Sequence, residues 1–242
     1  MTLSKADWDN YIQKLSRINK QASDLIMAYV DKHGLDDIKA LVDYSYQVAT
    51  KYGTASASLN ALMYDTIADL EGVALPAAEI AETATYGDVA QSVYGTLKTS
   101  VNAAEIGGAV GRLVKRAGQD TMLKNAIRDK AEFAWVPVGK TCAFCMTLGS
   151  RGWQEISNKA LKNGHAEHIH SNCDCSYMVR HNKDFDVAGY KPEEYLKMYD
   201  DADGEKPKDK INSMRRDFYQ ENKEEILQQE ADNYELRQEN TD

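Results

Sequence analysis

The first 130 residues place apolar side chains at spacings of three and four, which is the period of an amphipathic helix. The pattern is continuous over residues 4–32 and ends at Gly34, so it predicts one long helix. It resumes over residues 35–70 and predicts a second long helix with a bend near Gly53. Tyrosine and methionine recur on these faces, where core packing or a partner helix explains them better than a cofactor pocket.

Shorter helices are predicted next along the chain. Pro76 suits the first turn of a helix over residues 76–85, and Asp88 suits the N-cap of another that reaches Val101. The Gly107-Gly108 pair interrupts the pattern before helical spacing returns over residues 110–127. The N-terminal half of the chain is therefore predicted to be mostly helical.

The pattern changes at residues 133–140, an extended apolar segment that ends in turn residues and predicts a strand. Residues 176–180 alternate and predict a second strand that returns along the first. From Lys191 the chain becomes polar, with a solvated loop expected at residues 200–204 and a last helix after Pro207.

The composition is that of a folded protein. Of the 242 residues 43% are hydrophobic, which is enough for a core, and no apolar run approaches the length of a membrane span. The formal net charge of −9 opposes a general electrostatic attraction to nucleic acid. Residues 221–242 are strongly acidic, so this end of the last helix is expected to pack on another subunit or to fray. Aromatic residues on the two long helices are expected to add surface for a partner: Trp8, Tyr11, Tyr44, Tyr46 and Tyr52.

All four cysteines lie in one short stretch, and three of the five histidines lie between the two cysteine pairs. Two ligands three residues apart reach one metal ion from a single tight turn, and a second pair closes the loop, so the spacing predicts a structural zinc site. The first residues lack the basic and apolar segments of a secretory leader. We therefore expect a reducing compartment, in which disulfides are disfavoured.

Five residues are candidates for the four ligand positions: Cys142, Cys145, His170, Cys173 and Cys175. One set uses His170 in place of Cys175, because H-x-x-C is a common ligand step whereas C-x-C is sterically tighter; the other set is the four cysteines. The spacing leaves both open. The remaining histidines are expected outside the ligand set, with His165 and His168 in the loop or beside the ligands and His33 and His181 at the surface.

The predicted fold is mainly α with a small zinc-stabilised α+β module. Long amphipathic helices are followed by a metal-clamped loop or hairpin and a C-terminal helix. We expect a helical domain over residues 1–130, a zinc-binding module over residues 131–190 and an acidic helical tail over residues 191–242.

Two strings around the cysteines form an ordered pattern: Val136-Pro-Val-Gly-Lys-Thr-Cys-Ala-Phe-Cys-Met-Thr-Leu-Gly-Ser-Arg-Gly152 and His170-Ser-Asn-Cys-Asp-Cys175. They contain a C-x-x-C, a Ser-Arg-Gly turn and an H-x-x-C-x-C motif, after a helical N-terminal region. This order resembles the Mu F-like minor head proteins of tailed bacteriophages. The resemblance is specific from Val136 to Tyr177 and rests elsewhere on helical character and length.

The resemblance implies a low-copy structural protein of the virion, without catalytic residues, that is assembled into the phage head in the host cytoplasm. Its implied partners are the portal protein or the major capsid protein, with several copies per head or a homo-oligomer. Some members of the family are thought to leave the head with the DNA. The resemblance therefore implies that this chain can contact DNA, and it implies no membrane partner. The chain resembles the short form of the family, without a fused toxin or protease domain.

Two other classes of function stay open on the residues alone. In a zinc-braced nuclease His168 and His170 would supply a general base and a ligand, with Arg151 and Lys140 as nearby cations. In a DNA-binding zinc module, basic and aromatic residues around the metal would contact nucleic acid. A zinc deaminase is disfavoured, because its H-x-E precedes the C-x-x-C whereas His165-Ala-Glu167 follows it. Since no phosphate loop or nucleophile elbow accompanies the cysteines, we expect no enzyme.

Overall fold

The computed structural model describes residues 1–138, 142–155 and 175–239, and of residues 225–239 only the backbone. The described residues contain seven helices and five short strands, so the predicted mainly α class is confirmed. The zinc-stabilised module and the three-part division of the chain stay predictions. None of the described helices is long and apolar enough to cross a membrane.

The described residues form two compact units. The first is built from Met1–Val138 and Trp153–Tyr190, and the second from Gly139–Gly152 and Lys191–Asp242. The helices of the first unit are α1 (Lys5–His33), α2 (Ile38–Glu71), α3 (Tyr86–Leu97) and α4 (Ala103–Asp129). Their buried faces meet in one apolar core, in which α4 packs against both α1 and α2.

The two long helices predicted from the apolar period are confirmed. α1 begins after Ser4, whose hydroxyl accepts a hydrogen bond from the Asp7 N–H (3.1 Å), and ends at Gly34. α2 is a single helix that includes Gly53.

The aromatic residues of the long helices lie mostly inside the first unit, which corrects the expectation that they offer surface to a partner. Trp8 and Tyr11 are buried, with 5% and 3% of their surface exposed. Tyr44 and Tyr52 are half-buried against the core, and Tyr46 remains exposed. The helical period marks the apolar face of each helix, but only the packing of the first unit decides which of these residues are covered.

The Gly107-Gly108 pair lies inside α4, so the predicted interruption there is wrong. A Cβ at Gly107 would lie 2.8 Å from the Ser23 carbonyl oxygen, and one at Gly111 would lie 2.6 Å from Ser23 Oγ. The Ser23 hydroxyl donates a hydrogen bond to the Gly107 carbonyl oxygen (3.1 Å). Glycine here permits the close approach of α1 to α4 instead of making a turn.

Residues 73–85 form neither helix nor strand, so the predicted helix from Pro76 is wrong. Side chains of α2 and α4 provide the hydrogen bonds that a helix would have made internally. Asn125 exchanges two hydrogen bonds with the Glu79 backbone (2.9 and 2.8 Å), and Thr121 Oγ1 accepts from the Ala81 N–H (2.9 Å). Because these partners satisfy backbone groups of the segment, it is held against α4 without forming a helix.

The N-cap of α3 lies three residues before the predicted cap, Asp88. Thr85 is its N-cap, and Asp88 completes a capping box in which the Thr85 N–H donates to the Asp88 carboxylate (2.9 Å). The helix ends at Leu97, before the predicted Val101.

The small sheets also belong to the first unit. β2 (Glu132–Val136) and β4 (Ser176–Arg180) pair antiparallel from Glu132 opposite Arg180 to Val136 opposite Ser176, which confirms the predicted returning strand. β3 (Gln154–Glu155) pairs on the other side of β2, and β1 (Thr2–Leu3) pairs parallel with β5 (Asp186–Val187).

The second unit contains α5 (Ala143–Gly149), α6 (Pro192–Asp201) and α7 (Pro207–Glu239). α7 confirms the predicted last helix. α6 was not predicted, because its residues appear simply polar in sequence, although Pro192 occupies its first turn as helices allow. The loop expected at residues 200–204 starts two residues later, because α6 extends to Asp201.

Gly118 marks the crossing of α4 and α2. A Cβ at this position would overlap the Asn60 amide and the Ser56 hydroxyl, and both side chains are buried. Asn60 is held by a hydrogen bond from the Tyr11 hydroxyl (2.7 Å) and by one that it donates to the Ser56 carbonyl oxygen (2.9 Å). The neighbours of Gly118 therefore have no easy way to move.

We expect Gly118→Ala to lower the free energy of unfolding of the first unit by about 1–3 kcal/mol, as overpacking does. Urea denaturation followed by tryptophan fluorescence would measure this, since the three tryptophans (Trp8, Trp135 and Trp153) lie in the first unit. Gly95→Ala in α3 is the matched control, because nothing lies within 4 Å of the added Cβ. That variant should gain about 0.4–1 kcal/mol. Equal effects of the two substitutions would contradict the close crossing.

Candidate functional site

Cys142 and Cys145 lie at the start of α5, in the second unit. Cys142 is the N-cap residue, with extended backbone (φ −73°, ψ 157°), and its carbonyl oxygen accepts from the Met146 N–H (3.0 Å). Cys145 is three residues further on and buried. Side chains at these two positions lie on the same side of the first turn, as in a capping box. The pair therefore fits the two-thiolate half of a zinc site.

Cys175 is buried directly before β4, in the first unit. The start of β4 is held to α4 by Gln119, whose amide donates to the Ser176 hydroxyl (2.9 Å) and accepts from the Tyr177 N–H (2.8 Å). Gln119 and Ser176 are both buried, so water does not compete for these bonds. A glutamine in a helical pattern gives no sequence signal of this role. The position of Cys175 thus depends on α4.

The other predicted ligands, His170 and Cys173, lie outside the described residues, as do His165 and His168. Within the described part of the chain no group of three or more His, Cys, Asp or Glu side chains could hold a metal ion. The zinc site and the choice between the two ligand sets therefore stay predictions.

A buried glutamate that the sequence analysis missed holds the far end of β4. Glu71, the last residue of α2, accepts hydrogen bonds from the His181 N–H (2.9 Å) and the Asn182 N–H (2.7 Å). Nearby, Arg180 binds the Glu132 carboxylate of β2 (2.7 Å). α2 and α4 therefore hold opposite ends of the same strand.

His181 is not the surface histidine that the sequence suggested. Its ring is half-buried edge-on to Tyr64, with 5.5 Å between centroids, and its Nε2 is buried without a hydrogen-bond partner among the described residues. Burial lowers the pKa of His181, against the opposing effect of the Glu71 and Asp129 charges. Hydrogen bonds from Arg128 and Tyr64 in turn hold the pKa of Asp129 below its usual value. Burial therefore favours the neutral form of His181.

The second unit has a groove of about 530 Å³ between α5, α6 and α7. Its lining is mainly methionine and aromatic, with acidic and amide groups beside them: Met146, Tyr195, Met198, Asp201, Ala202, Met214, Asp217, Phe218, Glu221 and Asn222. Methionine side chains adapt to varied apolar partners. This surface is suited to binding, and its described lining residues include no nucleophile beside a general base.

A family model described as VG15 protein matches residues 2–202. The chain belongs to the VG15 protein family. No curated protein and no solved structure matches it. VG15 is a family of viral or phage gene products, so the expectation of a phage protein is confirmed at that level, whereas the Mu F-like resemblance is not. The VG15 match includes α6 and ends before α7.

We expect the first unit of this VG15 protein to lose stability as the pH falls below 6.5, the ordinary pKa of histidine. Because the pKa of His181 is lower in the folded chain, the unfolded chain binds more protons in this range. The free energy of unfolding is therefore full above pH 6.5 and falls as the pH drops towards the folded pKa. Glu71, Asp129 and Tyr64 are the other titratable groups that face this ring, and the lowered pKa of Asp129 adds a loss only below 3.8.

His181→Phe keeps a ring against Tyr64 and should flatten this pH dependence, as measured by urea denaturation at a series of pH values with tryptophan fluorescence. His33→Gln, at the exposed end of α1, should leave the pH dependence of the free energy of unfolding unchanged. If the free energy of unfolding of His181→Phe falls with pH as steeply as that of the unchanged protein, His181 is not the source of the pH dependence.

Proposed function

We propose that this VG15 protein is a minor head protein of a tailed bacteriophage that acts by assembly with the portal protein or the major capsid protein, and not by catalysis. Several copies would reside in the virion after assembly in the host cytoplasm, in a position to contact DNA or to leave with it. Membership of a viral or phage family supports this proposal, as does the resemblance of residues 136–177 to the Mu F-like proteins.

The length of α7 is the observation that carries the assembly role. α7 has 33 residues, about 50 Å of helix, whereas α5 and α6, against which it packs, have 7 and 10. The last of its described residues that line the groove is Asn222. The sequence beyond is acidic and sparsely apolar, and a helix of this kind gains most of its stability from packing on another surface.

The described residues that line the groove all precede residue 225, so removal of residues 225–242 keeps them, whereas a cut at Pro207 would also remove the buried Met214. We expect the shorter chain to keep both units folded and to lose incorporation into particles. The measurement is quantitative mass spectrometry of particles formed with the portal and capsid proteins of the same phage. A control that replaces residues 225–242 with an unrelated helix of equal length separates a specific contact from a simple spacer.

Full incorporation of the shortened chain would contradict the role of α7. If the full-length chain instead stays monomeric, binds no head protein and cleaves DNA in a metal-dependent way that His170→Ala abolishes, the nuclease alternative replaces the proposal.

The proposal includes one structural zinc ion per chain, bound by Cys142, Cys145 and two of the residues His170, Cys173 and Cys175. Four protein ligands would close the coordination sphere, and zinc binding of about 10 kcal/mol would then act as folding free energy. The cap position of Cys142 and the buried Cys145 support this donor pair.

We expect elemental mass spectrometry of the purified chain to find close to one zinc, and Cys145→Ser to lose it. His33→Gln is the control, as a histidine outside the cysteine cluster. His170→Ala and Cys175→Ser decide between the ligand sets, because only one of them should retain full zinc. Zinc removal should reduce hydrogen-exchange protection in α5 while α1 to α4 remain protected. Four freely reactive thiols in a folded, metal-free chain would exclude the site.

A further inference from the structure

The groove of the second unit has an apolar floor that opens to solvent. Met214 of α7 is buried, with 5% of its surface exposed, and Phe218 one turn later is half-buried. Met198 of α6 is 54% exposed, although it lines the same groove. Apolar surface of this kind is better buried against a partner than against water.

The described lining of the groove carries charge of one sign. Asp201, Asp217 and Glu221 line it, and none of the ten described lining residues is basic. Arg215 and Arg216 lie on the same helix and are exposed, but they do not line the groove. An occupant with positive charge beside its apolar groups is therefore electrostatically favoured.

We propose that this groove binds an amphipathic helix of a partner protein that presents apolar anchors flanked by lysine or arginine. Three helices form the walls, and an apolar cleft of this volume accepts a few anchor side chains from one face of a helix. Methionine lets the cleft adapt to those anchors. The inference concerns the second unit alone and does not depend on the proposed place in the phage head.

A second copy of this chain fits the groove less well. The C-terminal end of α7 carries the apolar residues Ile226, Leu227 and Tyr234, and most of the charged residues near them in sequence are acidic. That end would bring negative charge to a rim that is already negative, and like charges facing each other across an interface are unfavourable. The charge pattern therefore favours a basic partner over self-association.

The test uses full-length protein and three synthetic peptides in isothermal titration calorimetry. The first is an amphipathic Leu/Lys helix, the second is its Leu/Glu counterpart, and the third is a Leu/Lys peptide of the same composition without an amphipathic period. We expect only the first to bind. Glu221→Lys and Met198→Ser should each weaken its binding about tenfold, by lost charge attraction and lost apolar contact respectively.

Matched controls separate the groove from the general negative charge of the protein. Glu224→Lys changes the charge equally on the exposed surface of α7, and Leu196→Ser removes an exposed apolar side chain of α6; neither residue lines the groove. Both should alter binding less than about twofold. Equal losses in Glu224→Lys and Glu221→Lys, equal binding of the Leu/Glu peptide, or no binding at all would overturn the proposal. So would self-association in sedimentation experiments that Met198→Ser, but not Leu196→Ser, abolishes, because the occupant would then be a second copy.

Discussion

The close approach of α4 to α1 and α2 is the constraint on which the first unit depends. Gly107 and Gly111 allow the backbone of α4 to reach Ser23 of α1, and Gly118 leaves room for the buried Asn60 of α2. Any larger side chain at these positions would push the helices apart, and a packed interior tolerates such a shift poorly. The polar partners at the crossings are themselves hydrogen-bonded, so the helices have a defined register as well as a defined distance.

The position of β4 follows from its contacts with α2 and α4. Gln119 of α4 holds the start of β4, and Glu71 at the end of α2 holds the backbone just after it. Each bond satisfies a backbone or side-chain group that is removed from water, where an unsatisfied group would cost about 1–3 kcal/mol. Cys175, directly before β4, thus has a position set by α4, and His181, directly after it, is pressed against Tyr64. The backbone around Cys175 is therefore supported by helices that a cysteine motif does not reveal.

The second unit has an open groove between its three helices. Its groove combines an apolar floor with an acidic rim, and α7 is far longer than the helices that support it. Together with membership of a viral or phage family, these features favour a protein that works through its contacts. A structural metal would serve the same end, because it stabilises a short segment that is too small to form a core of its own.

The sequence by itself determined the mainly α class, both long helices, the last helix and the pairing of β2 with β4, because each depends on a local period or on a turn signal. It also identified the cysteine cluster, whose ligand role is still a prediction. Tertiary structure alone decided that residues 73–85 are not helical, since hydrogen bonds to their backbone come from Thr121 and Asn125 in a distant helix. The same holds for the glycines of α4, which in sequence are indistinguishable from turn residues and become contact points only when α1 approaches. Local patterns record which face of an element is apolar, whereas the partner that covers that face is set by contacts between residues far apart in the chain.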